Sequence, residues 1–362
     1  MKEVTIKDIC KKSSSALKQK ELLSEGKYPV YGASGIAGYL DSYHQEDAYI
    51  GIVKDGSGIG RVAFYPEKTS LIGTMQYILP KKGFNIRYIG YCLQSLDLSK
   101  YKQGATIPHI YFRDYGERFI KVTEDTNEQQ SIVDYLDSAF AKIDAMKANA
   151  EKALNEAKAL FQASLKEMLE PKEGWEEKTI GDVCAIKSVL VNPVEEQYKE
   201  LFHVGGANII SESGELVDLK TAEEEGLISG KFVFNNEDVL YNKIRPYLKK
   251  VARPDFSGLC SADMYPLRHN DSITRDYLYY VLVTKEFTDY AILNSGRAGM
   301  PKVNRQAVFA YNFFLPSLSE QQSIVETLDS LKSKIDRLQE NYDKISQECD
   351  ALKQAILKQV FE

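Results

Sequence analysis

From Glu320 onward, apolar side chains recur at Ile324, Leu328, Leu331, Ile335, Leu338, Tyr342, Ile345, Cys349, Leu352 and Ile356. Their spacing alternates between four and three, the seam of a heptad-patterned helix that packs along another helix. Ser319 and Gln322 have the spacing of a capping box at its start. A looser seam runs through Leu136, Phe140, Ile143, Ala150, Leu154, Ala157, Phe161, Ser164 and Met168, and its alanines let a partner helix approach closely. Each stretch is about 42 residues, hence roughly 63 Å at 1.5 Å per residue. Upstream of both, the pattern changes to short apolar runs broken by turn residues: Tyr28-Pro29-Val30-Tyr31-Gly32, Ala48 to Val53, and Gly230 to Asn235. Such runs, flanked by Gly or Asn, read as strands. Ile86 to Leu96 and Arg275 to Tyr290 carry apolar residues every three or four positions and read as helices.

The pattern occurs twice because the chain repeats itself. Thr5-Ile6-Lys7-Asp8-Ile9-Cys10 returns as Thr179-Ile180-Gly181-Asp182-Val183-Cys184 at an offset of 174, and Glu128 to Val133 returns letter for letter as Glu320 to Val325 at 192. Between them, Tyr88-Ile89-Gly90-Tyr91-Cys92-Leu93 aligns with Tyr277 to Leu282, and Met75 with Met264, near 189. The jump in offset requires an insertion of about 15 residues in the second copy, between Cys184 and Asp238, where the acidic stretch Glu195 to Glu225 lies.

These elements imply an α+β chain of two tandem mixed α/β domains, at 1–127 and 171–319, each followed by a long spacer helix, at 128–170 and 320–362. Helix one delivers the chain to the second domain. If helix two packs on it, the pair is antiparallel and forms a coiled-coil rod holding two related domains in a pseudo-twofold dumbbell. The alternatives are that each helix packs on its own domain, or that the helices join two chains.

The 362 residues carry a formal charge of −6, which on its face argues against nucleic acid. By segment the picture differs: 1–127 is +4, 128–170 is −3, 171–319 is −4 and 320–362 is −3. Within the acidic second domain, Tyr241 to Arg253 holds five cations and no acid, and Arg297 to Arg305 holds three more. Lys100 to Arg113 is the acid-free counterpart in the first copy. Basic stretches laced with Tyr, Asn, Gln and Gly suit phosphate and base-edge contacts. Five cysteines spaced 82, 92, 76 and 89 residues apart form no CxxC pair or disulfide framework, which points to reduced thiols in the cytoplasm. No run approaches the ~20 apolar residues of a membrane span.

Catalytic motifs are missing. His44, His109, His203 and His269 stand apart without metal-ligand spacing, and no GxxxxGK[ST] is present. Gly56-Ser57-Gly58-Ile59-Gly60 and Gly32-Ala33-Ser34-Gly35 read as tight turns between strands. Asn192-Pro193-Val194-Glu195 lacks the second Pro and aromatic of an adenine-methyltransferase tetrad.

Taken together, the duplicated glycine-rich stretch, the amphipathic segment and the Glu-Gln-Gln-x-Ile-Val that opens each long helix resemble the specificity subunit of type I DNA restriction–modification systems. The approach Leu315-Pro316-Ser317-Leu318-Ser319 and the pair Tyr28 to Gly35 and Asp238 to Pro246 extend the resemblance over essentially the whole chain. The first copy departs from it by entering its helix through Val122 to Asn127, without a Leu-Pro pair. The resemblance implies two target-recognition domains, each reading half of a bipartite double-stranded DNA site, with the helices setting the spacer. The helices would dock two methyltransferase subunits, to which a translocase and nuclease subunit adds. The chain itself would be non-catalytic and bind no cofactor, S-adenosylmethionine and ATP with Mg²⁺ belonging to its partners. Candidate DNA contacts are Lys54, Ser57, Arg61, Gln76, Lys102, Thr106 and His109 in the first domain. In the second they are Asn242, Lys243, Arg245, Tyr247, Lys249, Lys250, Arg297 and Lys302. The expected helix-pair residues are Leu136, Phe140, Ile143 and Leu154 with the second seam from Ile324 to Ile356. The alternative from another class is a coiled-coil scaffold whose duplicated domains bind protein, and an independent methyltransferase is disfavoured by the missing tetrad.

Overall fold

The computed structural model describes residues 1–104, 107–296 and 299–362. They form two compact units, Met1–Lys152 with Glu340–Glu362, and Ala153–Gln339.

In the first unit, Lys2–Thr5 pairs antiparallel with Phe119–Val122, which closes the globular segment just before the long helix Thr126–Met168. A four-stranded antiparallel sheet follows the order Cys10–Ser14, Met75–Pro80, Tyr49–Val53, Val62–Tyr65. Tyr49–Val53 is buried at every position, which is why the sequence shows an unbroken apolar run there and no alternation. Helix Ile86–Ser95 covers this sheet through Tyr88, Ile89, Cys92 and Leu93. A smaller sheet of Gly35–Leu40, Tyr28–Gly32 and Ser70–Leu71 lies beside it in the chain.

The second unit repeats the plan. Glu176–Thr179 pairs with Asn312–Leu315, and the four-stranded order is Cys184–Ala185, Met264–His269, Asp238–Asn242, Val251–Ala252. Its other sheet has five strands: Leu190–Val191, Lys231–Phe234, Gly258–Ser261, Phe202–Val204 and Lys220–Thr221. The parallel pair Tyr28–Gly32 and Ser70–Leu71 corresponds to the parallel pair Phe202–Val204 and Gly258–Ser261. This correspondence locates the insertion. Only Ala33 and Ser34 join Tyr28–Gly32 to its hairpin partner, whereas residues 205–219 join Phe202–Val204 to Lys220–Thr221.

The repeated Glu-Gln-Gln has a structural reason. Gln129 and Gln321 are fully buried at the starts of the two long helices. Gln129 Oε1 accepts from the Asn85 N–H at 2.7 Å, and its Nε2 donates to the Thr123 and Gly83 carbonyls. Gln321 does the same with the Thr274 N–H at 2.8 Å and the Pro316 and Ser272 carbonyls. Asn85 and Thr274 are themselves the N-caps of Ile86–Ser95 and Arg275–Val283, so one amide ties each long helix to the helix that covers the sheet. A second tie follows two turns later: the Tyr91 hydroxyl donates to Asp137 and the Tyr280 hydroxyl to Asp329.

Both long helices are continuous, Thr126–Met168 and Leu318–Phe361. In the first unit, Asp144 pairs with Lys353 and Lys147 with Asp350, so one helix advances as the other recedes and they run antiparallel. Lys158 donates to Gln339 at 2.9 Å in the second unit, where Leu165 joins Ile324, Val325 and Leu328 in one core. Leu136, Ile143, Leu154, Ile324 and Leu328 are buried, whereas Phe140, Leu331, Ile335, Leu338, Tyr342 and Ile345 are half-buried, because a pair of helices shields only a strip of each partner.

Three expectations are corrected. Leu352 is 48% exposed: beyond Cys349 the buried positions are Leu357 and Phe361, which turn to the first unit's globular core, and Phe361 packs on Tyr88. The second long helix is not capped by a Ser319–Gln322 box, since Ser317 Oγ, two residues earlier, accepts the Glu320 N–H. Arg275 to Tyr290 is two helices, Arg275–Val283 and Lys285–Leu293. Thr284 adopts extended backbone between them, and its hydroxyl accepts the Phe287 N–H.

Replacing Gln321 by Leu strands three buried backbone groups. Gln321→Leu should therefore destabilise the second unit by roughly 2–3 kcal/mol, whereas exposed Gln322→Leu should change it by under about 0.5 kcal/mol. Shifts of the denaturant midpoint for the two variants test the difference.

Candidate nucleic-acid interface

In each unit the end of the buried central strand leads into an eight-residue turn, residues 54–61 or 243–250, and a hairpin docks onto that turn. In the first unit Gly56 N donates to Pro108 O at 3.0 Å and Ile110 N to Lys54 O at 2.9 Å. In the second, Arg245 N donates to Pro301 O at 2.8 Å and Val303 N to Lys243 O at 3.1 Å. Lys54 thus stands where Lys243 does, His109 where Lys302 does, and Gly56 where Arg245 does.

The backbone of the turn is left-handed near its two ends. Gly56 and Gly60 have φ of 83° and 84° in the first unit, and Arg245 and Lys249 have φ of 50° and 47° in the second. A Cβ on Gly60 would lie 2.8 Å from the Ser99 nitrogen, so the first copy requires glycine there. The second copy places two long cations in a conformation that costs an L-residue about 1–2 kcal/mol each. Nothing in their packing offsets it: Arg245 is exposed and Lys249 half-exposed, and among the described residues no hydrogen bond or ion pair engages either side chain. Tyr247, 49% exposed, projects between them.

The next position is also matched. Arg61 Nη2 donates to the Ala33 carbonyl, and Lys250 Nζ donates to the Gly206 carbonyl, each in the connection that follows Tyr28–Gly32 or its counterpart. At the base of the hairpins a carboxylate gathers cations. Asp55 contacts Lys54 and, at 2.7 Å, His109 Nδ1. Asp263 lies 3.1 Å from Lys302 and 3.6 Å from Lys243. Burial alone would raise the Asp263 carboxyl, but Lys302 and Lys243 together hold it below its ordinary value.

Several candidates are not at the surface. Gln76 is 1% exposed and donates to the Tyr115 hydroxyl at 2.7 Å, so it braces the core. Asn242 is buried at the strand end, where its Oδ1 accepts the Ile244 N–H, and Gly206 passes over it. Lys243 is 8% exposed, its ammonium donating to the Ala262 carbonyl and facing the Tyr265 ring. Burial, then the neighbouring Lys302, lowers its pKa. These three cannot reach DNA without rearrangement. Ser57 and Lys102 are exposed, while Lys54, His109 and Lys302 are half-exposed. Thr106 and Arg297 lie outside the described residues.

Sequence reasoning missed Tyr111 and Arg113. Tyr111 is 43% exposed, with His109 stacked 6.4 Å from one side of its ring and the Arg113 guanidinium 4.6 Å over it. An aromatic between an imidazole and a guanidinium in His109-Ile110-Tyr111-Phe112-Arg113 was the available signal. Among the described residues no group of three or more His, Cys, Asp or Glu is placed to hold a metal, and no helix is long and apolar enough to cross a membrane.

The model of the type I restriction modification DNA specificity domain matches residues 1–156 and 172–347. The chain belongs to the type I restriction–modification specificity family. Each of its two units is accordingly a target-recognition domain. The type I restriction enzyme EcoDI specificity subunit of Escherichia coli is 24% identical over 396 positions, spanning 99% of this chain and 87% of that one. The StySPI specificity subunit of Salmonella potsdam is 22% identical over 78% of this chain and 66% of its own length. Two solved structures share the fold at 16% identity. One, from work on complex assembly and conformational transition of the type I system, has a TM-score of 0.71 over 98% of this chain and 96% of its own. The other, the HsdS subunit of Thermoanaerobacter tengcongensis, has a TM-score of 0.50 over 98% and 95%.

The turn geometry makes a prediction about stability alone. Arg245→Gly and Lys249→Gly should leave the thermal midpoint unchanged or raise it, by up to about 1 kcal/mol each. Gly60→Ala should lower it by about 2 kcal/mol from a left-handed alanine and its clash.

Proposed function

We propose that this chain is the non-catalytic DNA-reading subunit of a type I restriction–modification complex, each unit binding one half of a bipartite site. The observation that carries this reading is the pair Arg245 and Lys249. They are cations in strained, exposed positions, where the sister turn has glycine. With Tyr247 and Lys250 they form one edge of the second reading surface. Ser57, Arg61, Lys102, His109, Tyr111 and Arg113 form the first. Lys54, Lys243 and Lys302 act through Asp55 and Asp263 to hold the hairpins on the turns. In this reading the continuous helices set the unread spacer, and catalysis, S-adenosylmethionine and ATP with Mg²⁺ belong to partner subunits.

Support for two methyltransferase docking places comes from the helices. In the first unit Met146 and Leu352, 59% and 48% exposed, lie at one level of the pair, next to the ion pairs Asp144–Lys353 and Lys147–Asp350. The repeat offset of 192 maps Met146 onto Leu338 and Leu352 onto Leu160, which is 59% exposed. In the second unit Leu160 is exposed but Leu338 is half-buried in the seam, so the apolar patch is repeated there in part.

Arg245→Gly and Lys250→Ala, in the complex assembled with its methyltransferase subunit, should each weaken DNA binding several-fold and reduce the salt slope by about 1. Unchanged affinity in both would falsify the assignment. Inserting four residues in the first long helix rephases its seam and adds about 6 Å, close to two base-pair steps. The insertion should change the spacer found by modified-base sequencing or abolish assembly. Full methylation of the original motif would sink the spacing role.

A further inference from the structure

The first unit has an open groove of about 1000 Å³ between Val62, Phe64, the helix Ile86–Ser95 and the two long helices. Its floor is aromatic: Phe64 meets Tyr91 edge-on at 5.3 Å, and Tyr91 meets Phe140 at 5.4 Å. Among its walls stand Arg61, Arg87, Lys353 and Lys358 against Asp97, Asp137 and Asp144. Arg87 pairs with Asp137 and Lys353 with Asp144, which leaves Arg61 and Lys358 without an acidic partner among the described residues.

The duplication shows what such a groove holds. In the second unit, residues 205–219, which the first copy lacks, send their tip onto the equivalent surface. The Ser213 carbonyl accepts from Lys332 Nζ and, at 3.2 Å, from the Tyr279 hydroxyl. Gly214, at φ 70°, lies so close to the Val251 carbonyl that a Cβ would come within 2.2 Å of it. Lys332, Tyr279 and Val251 correspond to Phe140, Gly90 and Val62. Phe140 and Val62 line the open groove, and Gly90 lies on its covering helix next to Tyr91. The tip that fills the second copy reads Ser211-Glu212-Ser213-Gly214-Glu215: small, glycine-bearing and acidic. In the first unit the place is vacant and two of its cations are unmatched.

The geometry points to this groove as the docking site, in the first unit only, for an extended acidic Ser/Gly-bearing segment of a partner subunit, which enters in trans where residues 211–215 enter in cis. Main-chain carbonyls of that segment meet Gln354, and its carboxylates meet Lys358. The two units are thereby made unequal: one carries its own plug, the other waits for one.

The inference rests on the family reading for the existence of partner subunits, and its test separates the two. All five native cysteines are buried, so exposed Ala141 on the groove wall, as Ala141→Cys, can be labelled alone with a benzophenone maleimide. Irradiation of the complex assembled with its methyltransferase subunit should crosslink a carboxylate-bearing stretch of that subunit. Lys358→Glu should cut the yield at least tenfold, as should a millimolar excess of the peptide Ser-Glu-Ser-Gly-Glu. The same peptide, fluorescently tagged, should bind the full chain alone and lose at least tenfold in affinity with Lys358→Glu. Crosslinks to DNA or to a second copy of this chain overturn the proposal. So does a complex that methylates DNA yet gives no crosslink. Absence of DNA methylation by the unsubstituted complex overturns the family-based reading instead, and peptide binding then decides the groove by itself.

Discussion

One buried amide in each unit governs everything that follows it in the chain. A glutamine with no exposed surface must satisfy its donors and acceptor inside the protein, because each unmet group costs about 1–3 kcal/mol. Gln129 and Gln321 meet that demand by bonding the N-cap residue of the covering helix and the carbonyls of the segment that enters the long helix. The direction in which each long helix departs is thereby fixed to the sheet that carries the reading turn. The Tyr91–Asp137 and Tyr280–Asp329 hydrogen bonds add a second fixed point about two turns along. Two points define an axis, so the sheet of each target-recognition domain and the long helix that leaves it share one frame.

Around that shared frame the copies have diverged in opposite ways. The first keeps glycines where the turn backbone is left-handed, while aromatic floor and cations remain open beside it. The second accepts strain at Arg245 and Lys249 and fills its groove with residues 205–219. Strain of about 1–2 kcal/mol per left-handed cation is small against the net stability of a domain, and it persists because the strand before the turn and the docked hairpin after it over-determine the backbone. In the proposed reading the cost is borne by the fold and returned when a phosphate or base edge meets the cation.

The duplicated plan, the long helices and the insertion were legible because they leave periodic or repeated residues, and periodicity survives without any knowledge of packing. Strand ends were not. Asn242 and Lys243 read as exposed in a basic stretch, yet Gly206 of the insertion covers one and Ala262 with Tyr265 engages the other. Burial there is decided by residues about 20 to 36 positions away in the chain, which no local pattern encodes. Gln76 misled for the same reason, its partner Tyr115 being 39 residues distant. Leu352 failed differently: the heptad pattern continues through it, but the globular core competes for that face of the helix and takes Leu357 and Phe361 instead. The most informative signal, Arg245 and Lys249 against Gly56 and Gly60, was present in the repeat. It becomes meaningful only with backbone angles.

Charge arrangement then explains how a chain of net −6 serves as a DNA reader. The carboxylates Asp55 and Asp263 sit within the basic clusters and already occupy Lys54, His109, Lys243 and Lys302. A phosphate that approaches must compete with a fixed carboxylate, so in the proposed reading these side chains contribute little to indiscriminate attraction. They hold the hairpins in register instead. In the proposed reading, affinity falls to cations that have only carbonyl partners or none, Arg61 and Lys250 in the first case and Arg245 and Lys249 in the second. Under the proposed function, linking two weak half-site readers in one chain makes binding of the second half-site effectively intramolecular.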